Sequence, residues 1–340
     1  MTDISGINAS NLQHWFDENA GGVTGSLSFT PIAGGHSNLT YVVNDESSQK
    51  WVLRRPPLGH VLATAHDMSR EHRIISALAD SGVPVPGIVG LCEDSEVNDA
   101  PFYVMDFVPG VILRTREEAE NLSVDTRKKM GHSLVKTLAD IHAVNVDDVG
   151  LGDLARREGY IERQLKRWRK QFVDGTTREI PQILEVHELL AARIPEQQGV
   201  SIVHGDYRLD NCMMSVDGPV AAVLDWELCT LGDALADLAG MISSISSQVD
   251  GSSELASTTE GFPNAEEIRQ IYSEYSDRNL DHLDFYVAFN FWRMACIVEG
   301  VYTRYAAGVM GQIDDAAIDA FGNRVIVLAD LAAETILGMK

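Results

Sequence analysis

The sequence predicts an α+β protein in which a small β-rich N-terminal lobe precedes a larger, mostly helical C-terminal lobe. Short segments of alternating apolar and polar residues crowd the chain before Val108, and this alternation is typical of strands. Longer segments with apolar residues on one helical face dominate from Thr126 onwards. The length of 340 residues, at about 150 residues per domain, is also consistent with two lobes.

The N-terminal lobe is expected to span residues 1–108. Helices are predicted around Leu12–Asp17 and at Met68–Ala79, and a Ser-Gly pair ends the second helical pattern. The sequence Val-Pro-Gly at residues 108–110 interrupts the pattern and marks the predicted hinge. Strands are predicted at Ser26–Ile32, Thr40–Asn44, Trp51–Arg54, Ile88–Glu93 and Pro101–Phe107.

The C-terminal lobe is expected to span residues 109–340. A predicted strand at Val200–Val203 leads into a polar loop. A hairpin follows, because the Asp217-Gly218 pair favours a tight turn between two strand-like segments. Its strands are predicted at Cys212–Val216 and Val220–Leu224, and helices are predicted at Thr126–Ala143, Tyr160–Phe172, Ile183–Ile194, Asp284–Ala306 and Ile313–Leu337.

Composition and charge exclude several classes of partner. Hydrophobic residues make up 45% of the chain and charged residues 23%, as in ordinary soluble proteins. The 27 Lys and Arg against 50 Asp and Glu give a net charge of −23, which disfavours nucleic acids and anionic membranes. The 4 cysteines are scattered, and the sequence contains neither a signal-peptide pattern nor an apolar run of about 18 residues. We therefore expect a cytoplasmic protein that binds neither nucleic acid nor membranes.

The chemically most informative stretch begins with His204-Gly205-Asp206 and ends with Asn211. After the hairpin, a second carboxylate follows in Leu224-Asp225-Trp226-Glu227. Carboxylate and carboxamide oxygens suit Mg²⁺, and a further carboxylate could accept a proton from an attacking hydroxyl. A single loop aspartate is most often a turn or helix cap. The ordered combination of both motifs around one hairpin favours a phosphoryl-transfer site.

These two motifs resemble those of the aminoglycoside phosphotransferase and choline kinase-like family of small-molecule kinases. The resemblance covers nearly the whole chain and implies a protein-kinase-like fold of two lobes with ATP or GTP between them. It implies that Asp206 is the general base and that Arg208 contacts the γ-phosphate. Asn211 and Asp225 would hold Mg²⁺.

The same resemblance assigns nucleotide-binding roles in the N-terminal lobe. Ser37, in a Gly-Gly-His-Ser-Asn loop, would contact phosphates, although a glycine pair alone usually marks a simple hairpin. Arg54 occupies the position of the strand lysine of kinases and would pair with Glu71, whose alternative interpretation is a solvated surface charge. The backbone around Met105, Phe107 and Val108 would bind adenine at the hinge, and the alternative interpretation of Met105 is an ordinary core residue.

A further resemblance narrows the class of acceptor substrate but does not identify the substrate. Segments such as Arg54-Arg55-Pro56-Pro57 and Arg293-Met294-Ala295 are similar to the kinase-like domain associated with acyl-CoA dehydrogenases, which implies a hydroxylated acyl compound. A net charge of −23 would instead attract a polycationic aminoglycoside. A non-catalytic nucleotide-binding pseudokinase is the other alternative.

Asp233 and Asp237 are expected to support the loop that carries Asp206. The oligomeric state is left open.

Overall fold

The structure is a computed structural model and describes residues 4–32, 38–58, 67–245, 254–310 and 313–339. The chain divides into two compact units. The first contains Met1–Val111 together with Cys212–Ser215 and Val220–Leu228. The second contains the intervening segments and the C-terminal part. The division is therefore not contiguous along the sequence.

The first unit is organised around a five-stranded antiparallel sheet with the strand order β1-β2-β3-β5-β4. Its strands are β1 (Ser28–Pro31), β2 (Leu39–Asn44), β3 (Lys50–Arg55), β4 (Ile88–Cys92) and β5 (Phe102–Asp106). Its helices are α1 (Ala9–Asn19), α2 (Met68–Leu78) and the short α3 (Ser95–Asn98). The predicted strands and the Met68 helix are confirmed in position to within a few residues.

Aromatic residues of α1 form the core on one face of this sheet. Phe16 packs edge-to-face on Trp51 of β3, with ring centroids 5.5 Å apart. Trp15 packs on Phe102 of β5 in the same way, at 5.1 Å. Such contacts add to the free energy gained by burying the rings. They fix α1 on the face of the sheet opposite to Arg54.

The second unit is mostly helical. Its helices are α4 (Arg116–Glu120), α5 (Val124–Ala143), α6 (Tyr160–Gly175), α7 (Pro181–Ala191), α8 (Leu235–Ser244), α9 (Ala265–Tyr275), α10 (Leu283–Ala306) and α11 (Asp315–Gly338). The strand β6 (Ser201–Val203) pairs antiparallel with β9 (Thr230–Gly232). Between them, β7 (Cys212–Met214) and β8 (Val220–Val223) form the predicted hairpin, whose strands belong to the first unit.

Helix α10 forms the centre of the helical core. Phe285, Phe289 and Trp292 are almost completely buried, as expected for an aromatic-rich core helix. The Trp292 indole donates a hydrogen bond to the carbonyl of Ile183 in α7, which satisfies its polar atom inside the core. Within the described ranges, every helix is either too short or too polar to cross a lipid bilayer.

Candidate active site

Arg54 is held by carboxylates in the first unit. Its Nε atom lies 3.1 Å from Oε2 of Glu71, and its Nη2 atom lies 2.5 Å from Oδ1 of Asp225. The carboxylate of Glu227 is 3.7 Å from the same Nη2 atom. The predicted Arg54–Glu71 pair is therefore present. Asp225, predicted as a metal ligand, contacts the same guanidinium.

The sheet register explains how this cluster assembles. Arg54 of β3 lies directly opposite Tyr103 of β5, so the two side chains share one face of the sheet. The Tyr103 hydroxyl donates a hydrogen bond of 2.8 Å to Glu71. The next residue, Arg55, points to the opposite face, where its Nη1 donates to the carbonyls of Gly6 and Asn98. This alternation makes Arg54, rather than Arg55, the partner of Glu71.

Glu71 lies on the buried face of α2. Met68, Ile75 and Leu78 occupy the same helical stripe, and Glu71 is only 2% exposed. A glutamate at a core position of an amphipathic helix needs a buried partner, and Arg54 with Tyr103 supplies it. The solvated-surface interpretation of Glu71 does not apply.

The electrostatics of the cluster follow from one cation shared by three acids. Burial raises the pKa of Glu71 to about 7, because the loss of water outweighs the attraction of Arg54 and the hydrogen bond from Tyr103. Burial alone would lower the pKa of Arg54, but the carboxylates of Glu71 and Asp225 raise it, so the guanidinium stays charged. The cluster retains an excess of negative charge that suits a cation or a second positive group.

Asp225 follows strand β8 at a strained backbone position. Its φ angle is +64°, a conformation that residues other than glycine rarely adopt. Residues that do adopt it are often found at functional sites. The carboxylate oxygens of Glu71, Asp225 and Glu227 come within 4.8 Å of one another. Asn38 also reaches this group through a hydrogen bond of 3.2 Å from Nδ2 to Glu227. Sequence reasoning did not assign Asn38 or Glu227, because 189 residues separate the two positions.

The Asp206 loop, in the second unit, is anchored by Asp237. The carboxylate of Asp237 accepts hydrogen bonds from the backbone N–H groups of His204 and Gly205, at 2.5 and 2.9 Å. Gly205 has a φ angle of +88°, a conformation that favours glycine. This conformation explains why a glycine stands between His204 and Asp206. The loop conformation is therefore set by the backbone and by Asp237, as expected for a supporting acid.

Asn211 fixes the carboxylate of Asp206. Its Nδ2 donates to the Asp206 carbonyl at 2.8 Å and to Asp206 Oδ2 at 2.9 Å. Both contacts use the amide nitrogen, so Oδ1 is the atom that Asn211 can offer to a cation. Arg208 lies 3.5 Å from the Asp206 carboxylate and 3.0 Å from Asp210. Reduced access to water raises the pKa of Asp206, while Arg208 and His204 act in the opposite direction.

Buried polar residues support this loop from behind. His142 lies with Nε2 3.6 Å from Asp237 Oδ2, and its Nδ1 is 2.8 Å from the Tyr272 hydroxyl. Burial lowers the pKa of His142, although Asp237 partly opposes the shift. The Tyr286 hydroxyl donates to Asp233 at 2.6 Å. The sequence interpretation of Asp233 and Asp237 as supporting acids agrees with these contacts, whereas His142 carried no recognisable motif.

A cavity of about 170 Å³ opens beside Asp206 within the second unit. Its wall includes Asp206 and Arg208 from the loop, Ser243 and Ser244 from α8, and Arg293 from α10. A small organic group fits such a volume, because an apolar cavity of about 150 Å³ accommodates benzene. Asp206 is thus placed where it can meet a small substrate.

The predicted hinge residues follow β5. Met105 is buried, and Phe107 and Val108 are partly exposed. Lys50 lies over the Phe107 ring, 5.2 Å from its centroid. Ser37 lies outside the described residues, so its predicted phosphate contact stays a prediction.

Comparison with known proteins agrees with this geometry. Residues 28–271 match the family model of the phosphotransferase enzyme family, APH. Acyl-CoA dehydrogenase family member 10 of Mus musculus is 35% identical over 316 residues, which are 91% of this chain and 29% of that protein. The chain thus spans less than a third of the length of this curated relative.

Solved structures extend the agreement to the whole chain. A candidate aminoglycoside phosphotransferase from Ralstonia eutropha JMP134 is 32% identical and has a TM-score of 0.84, covering 97% of this chain and 98% of that one. A spectinomycin phosphotransferase bound to ADP and spectinomycin is 15% identical, with a TM-score of 0.61 over 97% of this chain and 98% of that one. The second likeness concerns the fold alone. The small antiparallel sheet, the helical remainder and these matches confirm the protein-kinase-like fold, and the chain belongs to the phosphotransferase enzyme family.

Proposed function

We propose that this protein transfers the γ-phosphate of ATP or GTP to the hydroxyl group of a small molecule, with Mg²⁺ as cofactor. The observation that carries the proposal is the geometry of Asp206. Asn211 and the Asp237-anchored loop fix its carboxylate, and the cavity of about 170 Å³ gives a small alcohol access to it. A positioned carboxylate of this kind can accept the proton of an attacking hydroxyl.

Arg54 is the proposed contact to the nucleotide phosphates. The Glu71 carboxylate fixes its orientation, and the guanidinium remains charged because carboxylates surround it. Phosphoryl transfer depends mainly on positioning and on neutralising charge, which a fixed guanidinium provides through charge-assisted hydrogen bonds. Met105, Phe107 and Val108 are proposed to bind the base, and Ser37 to contact phosphate. The ADP bound to the spectinomycin phosphotransferase supports a nucleotide as donor.

Asn211 and Asp225 are the proposed magnesium ligands. Their donor atoms fit the ion, because Mg²⁺ prefers carboxylate and other oxygen ligands together with substrate phosphates. The carboxylates around Arg54 leave an excess of negative charge, which is consistent with a bound cation. The Asn211 nitrogen is hydrogen-bonded to Asp206, so the side-chain oxygen is the atom that Asn211 can offer to the ion. When bound, Mg²⁺ would neutralise charge on the transferring phosphates. Arg208 is proposed to contact the γ-phosphate, and its pairing with Asp210 keeps it near Asp206.

A hydroxylated acyl compound is the proposed acceptor class. The support is the similarity to acyl-CoA dehydrogenase family member 10, which is higher than the similarity to the spectinomycin phosphotransferase. An aminoglycoside acceptor is the competing possibility.

The proposal is tested by phosphoryl transfer from labelled ATP and GTP to a panel of hydroxyl compounds. The panel contains hydroxy acids, hydroxyacyl-CoA thioesters, simple alcohols and aminoglycosides. We expect labelled product that requires Mg²⁺ and disappears with a chelator. Mg²⁺-dependent nucleotide binding without transfer to any acceptor, and without nucleotide hydrolysis, would instead indicate a non-catalytic pseudokinase and contradict the proposal.

A further inference from the structure

Two arginines in the wall of the cavity beside Asp206 are not explained by the proposed chemistry. Arg293 belongs to α10 and Arg324 to α11, and both line the same cavity as Asp206. The Nε atom of each is shielded from water and has no hydrogen-bond partner among the described residues. Because the shielded Nε atoms are out of reach of a ligand, an anion in the cavity would meet the terminal nitrogens of the two guanidinium groups.

The other charges of the cavity wall already have partners. Arg208 lies against Asp206 and Asp210. Asp237 accepts two backbone hydrogen bonds from the catalytic loop. Within the described ranges, neither Arg293 nor Arg324 has a carboxylate close enough to form an ion pair. In a chain of net charge −23, this cavity is therefore a local site of positive charge.

Arg293 is also held in a defined orientation. Its Nη2 donates a hydrogen bond of 2.9 Å to the Oδ1 atom of Asn290, one turn earlier in α10. Asn290 is itself buried and hydrogen-bonded to Ser243 of α8. A guanidinium held in this way loses less conformational entropy when it binds a planar carboxylate.

We propose that Arg293 and Arg324 bind the carboxylate of the acceptor, so that the substrate is a short hydroxy acid rather than a thioester or an aminoglycoside. This inference rests on the proposed phosphotransferase function. Phe291, Met294, Leu255 and Leu328 supply apolar wall for the methylene groups between the carboxylate and the hydroxyl. With about 170 Å³, the cavity has room for a short chain. A polycation would meet like charge here.

The transfer step balances without a further reactant. The acceptor oxygen forms a bond to the γ-phosphorus while the bond from that phosphorus to the β-γ bridging oxygen breaks. The hydroxyl proton passes to Asp206, and the nucleoside diphosphate leaves. The carboxylate of the hydroxy acid stays bound to the arginines and takes no part in bond exchange.

The test compares each hydroxy acid with its neutral amide. Hydroxybutyrates, hydroxypentanoates and hydroxyhexanoates are assayed beside their primary amides, their CoA thioesters and an aminoglycoside. We expect the best acid to exceed its amide in kcat/KM by about 10- to 100-fold, the range expected for hydrogen bonds to a charged group. Arg293→Gln and Arg324→Gln should raise KM for the acid and remove most of this preference, with a smaller change in kcat.

Arg304→Gln is the matched control, because Arg304 is an exposed arginine on the same helix. It should keep the preference for the acid.

Unfolding by urea shows whether the cavity variants are folded, and nucleotide hydrolysis without acceptor shows whether they retain the catalytic loop. Equal use of acid and amide, a preference for the thioester or the aminoglycoside, or an unchanged preference in both cavity variants would overturn the inference. Nucleotide hydrolysis that depends on Asp206, without transfer to any acid, would also overturn the inference. If the wild-type protein showed neither transfer nor nucleotide hydrolysis, the proposed function itself would be contradicted.

Discussion

Asn211 and Asp206 act as one unit, since the Asn211 amide nitrogen bonds both the backbone and the side chain of Asp206. Replacing Asn211 by Ala removes both hydrogen bonds and the proposed metal ligand. We expect kcat to fall by about 100-fold, the cost of a misplaced catalytic group, and the Mg²⁺ concentration needed for half-maximal rate to rise. Steady-state kinetics at several Mg²⁺ concentrations measure both quantities. Asn121→Ala, at an exposed asparagine, should leave them unchanged, and an Asn211→Ala enzyme with an unaltered rate would refute the coupling.

We expect the buried His142 to make the stability of the protein sensitive to weak acid. Burial lowers its pKa below the ordinary value of 6.5, so the folded protein resists its protonation while the unfolded chain accepts the proton. The stability linked to this histidine is therefore present above pH 6.5 and is lost as the pH falls through the lowered pKa.

Urea unfolding between pH 7.5 and about 5 tests this dependence. The free energy of unfolding of the wild type should fall more steeply with acidification than that of His142→Gln, which has no titrating ring. His14→Gln, at an exposed histidine, serves as the control and should follow the wild type. Parallel curves for the wild type and His142→Gln would show that His142 does not cause the sensitivity.

Sequence reasoning identified residues whose partners lie in recognisable motifs. Arg54, Glu71 and Asp225 were singled out in this way, and the structure brings all three together. Asn38, Tyr103 and Glu227 join them through sheet register and chain folding, which no local pattern reveals. Arg324 was missed for the same reason, because it reaches the cavity from α11. The functional roles of these residues stay predictions until variants are measured.

At the scale of elements, long amphipathic segments were predicted well. Helix α5 and helix α10 lie within about two residues of the predicted bounds. The helices α3, α4, α8 and α9 were not predicted. Helix α4 covers only Arg116–Glu120, and α8 is apolar on nearly all sides, so it has no single buried face to recognise. Strand β9 has 3 residues and exists because β6 pairs with it.

The contact between α5 and Pro263, which lies just before α9, depends on the absence of a side chain at Gly131. A Cβ atom at this position would lie 2.2 Å from Cδ of Pro263, a distance that requires one of the two elements to move. Alanine favours a helix by about 1 kcal/mol over glycine, whereas overpacking costs about 1–3 kcal/mol. We expect Gly131→Ala to lower the free energy of unfolding, measured in urea, by up to about 2 kcal/mol, the overpacking cost less the gain in helix propensity.

Gly175→Ala is the control for that measurement, because nothing lies within 4 Å of the added atom at the end of α6. This variant should be neutral or slightly stabilising. If Gly131→Ala also stabilises the protein, the close packing of α5 against Pro263 is not a constraint in solution.

At the scale of the whole molecule, membership of the phosphotransferase enzyme family predicts stabilisation by nucleotide. A ligand at 100 times its dissociation constant adds about 2.7 kcal/mol to the free energy of unfolding. We expect MgATP or MgGTP to raise the unfolding temperature, and we expect the nucleotide alone to do so less. Thermal unfolding with both nucleotides, with and without a chelator, measures this effect. No shift with either nucleotide at millimolar concentration would argue against a nucleotide site.

Part of the net charge of −23 can be assigned to specific contacts in the structure. Three of the acids share Arg54, and Asp237 anchors the Asp206 loop, so part of the negative charge is structural. The cavity beside Asp206 carries the opposite local charge, which the total could not reveal. The boundary at Val108 and the cytoplasmic location stay predictions.

The most direct test of the central claim is phosphoryl transfer by Asp206→Asn. This substitution keeps the size of the side chain and removes its ability to accept a proton. We expect the rate of transfer from labelled nucleotide to fall by about 100- to 10,000-fold, with Mg²⁺-nucleotide binding and urea stability close to those of the wild type. Transfer at the wild-type rate by Asp206→Asn would contradict the assignment of this carboxylate as the catalytic base.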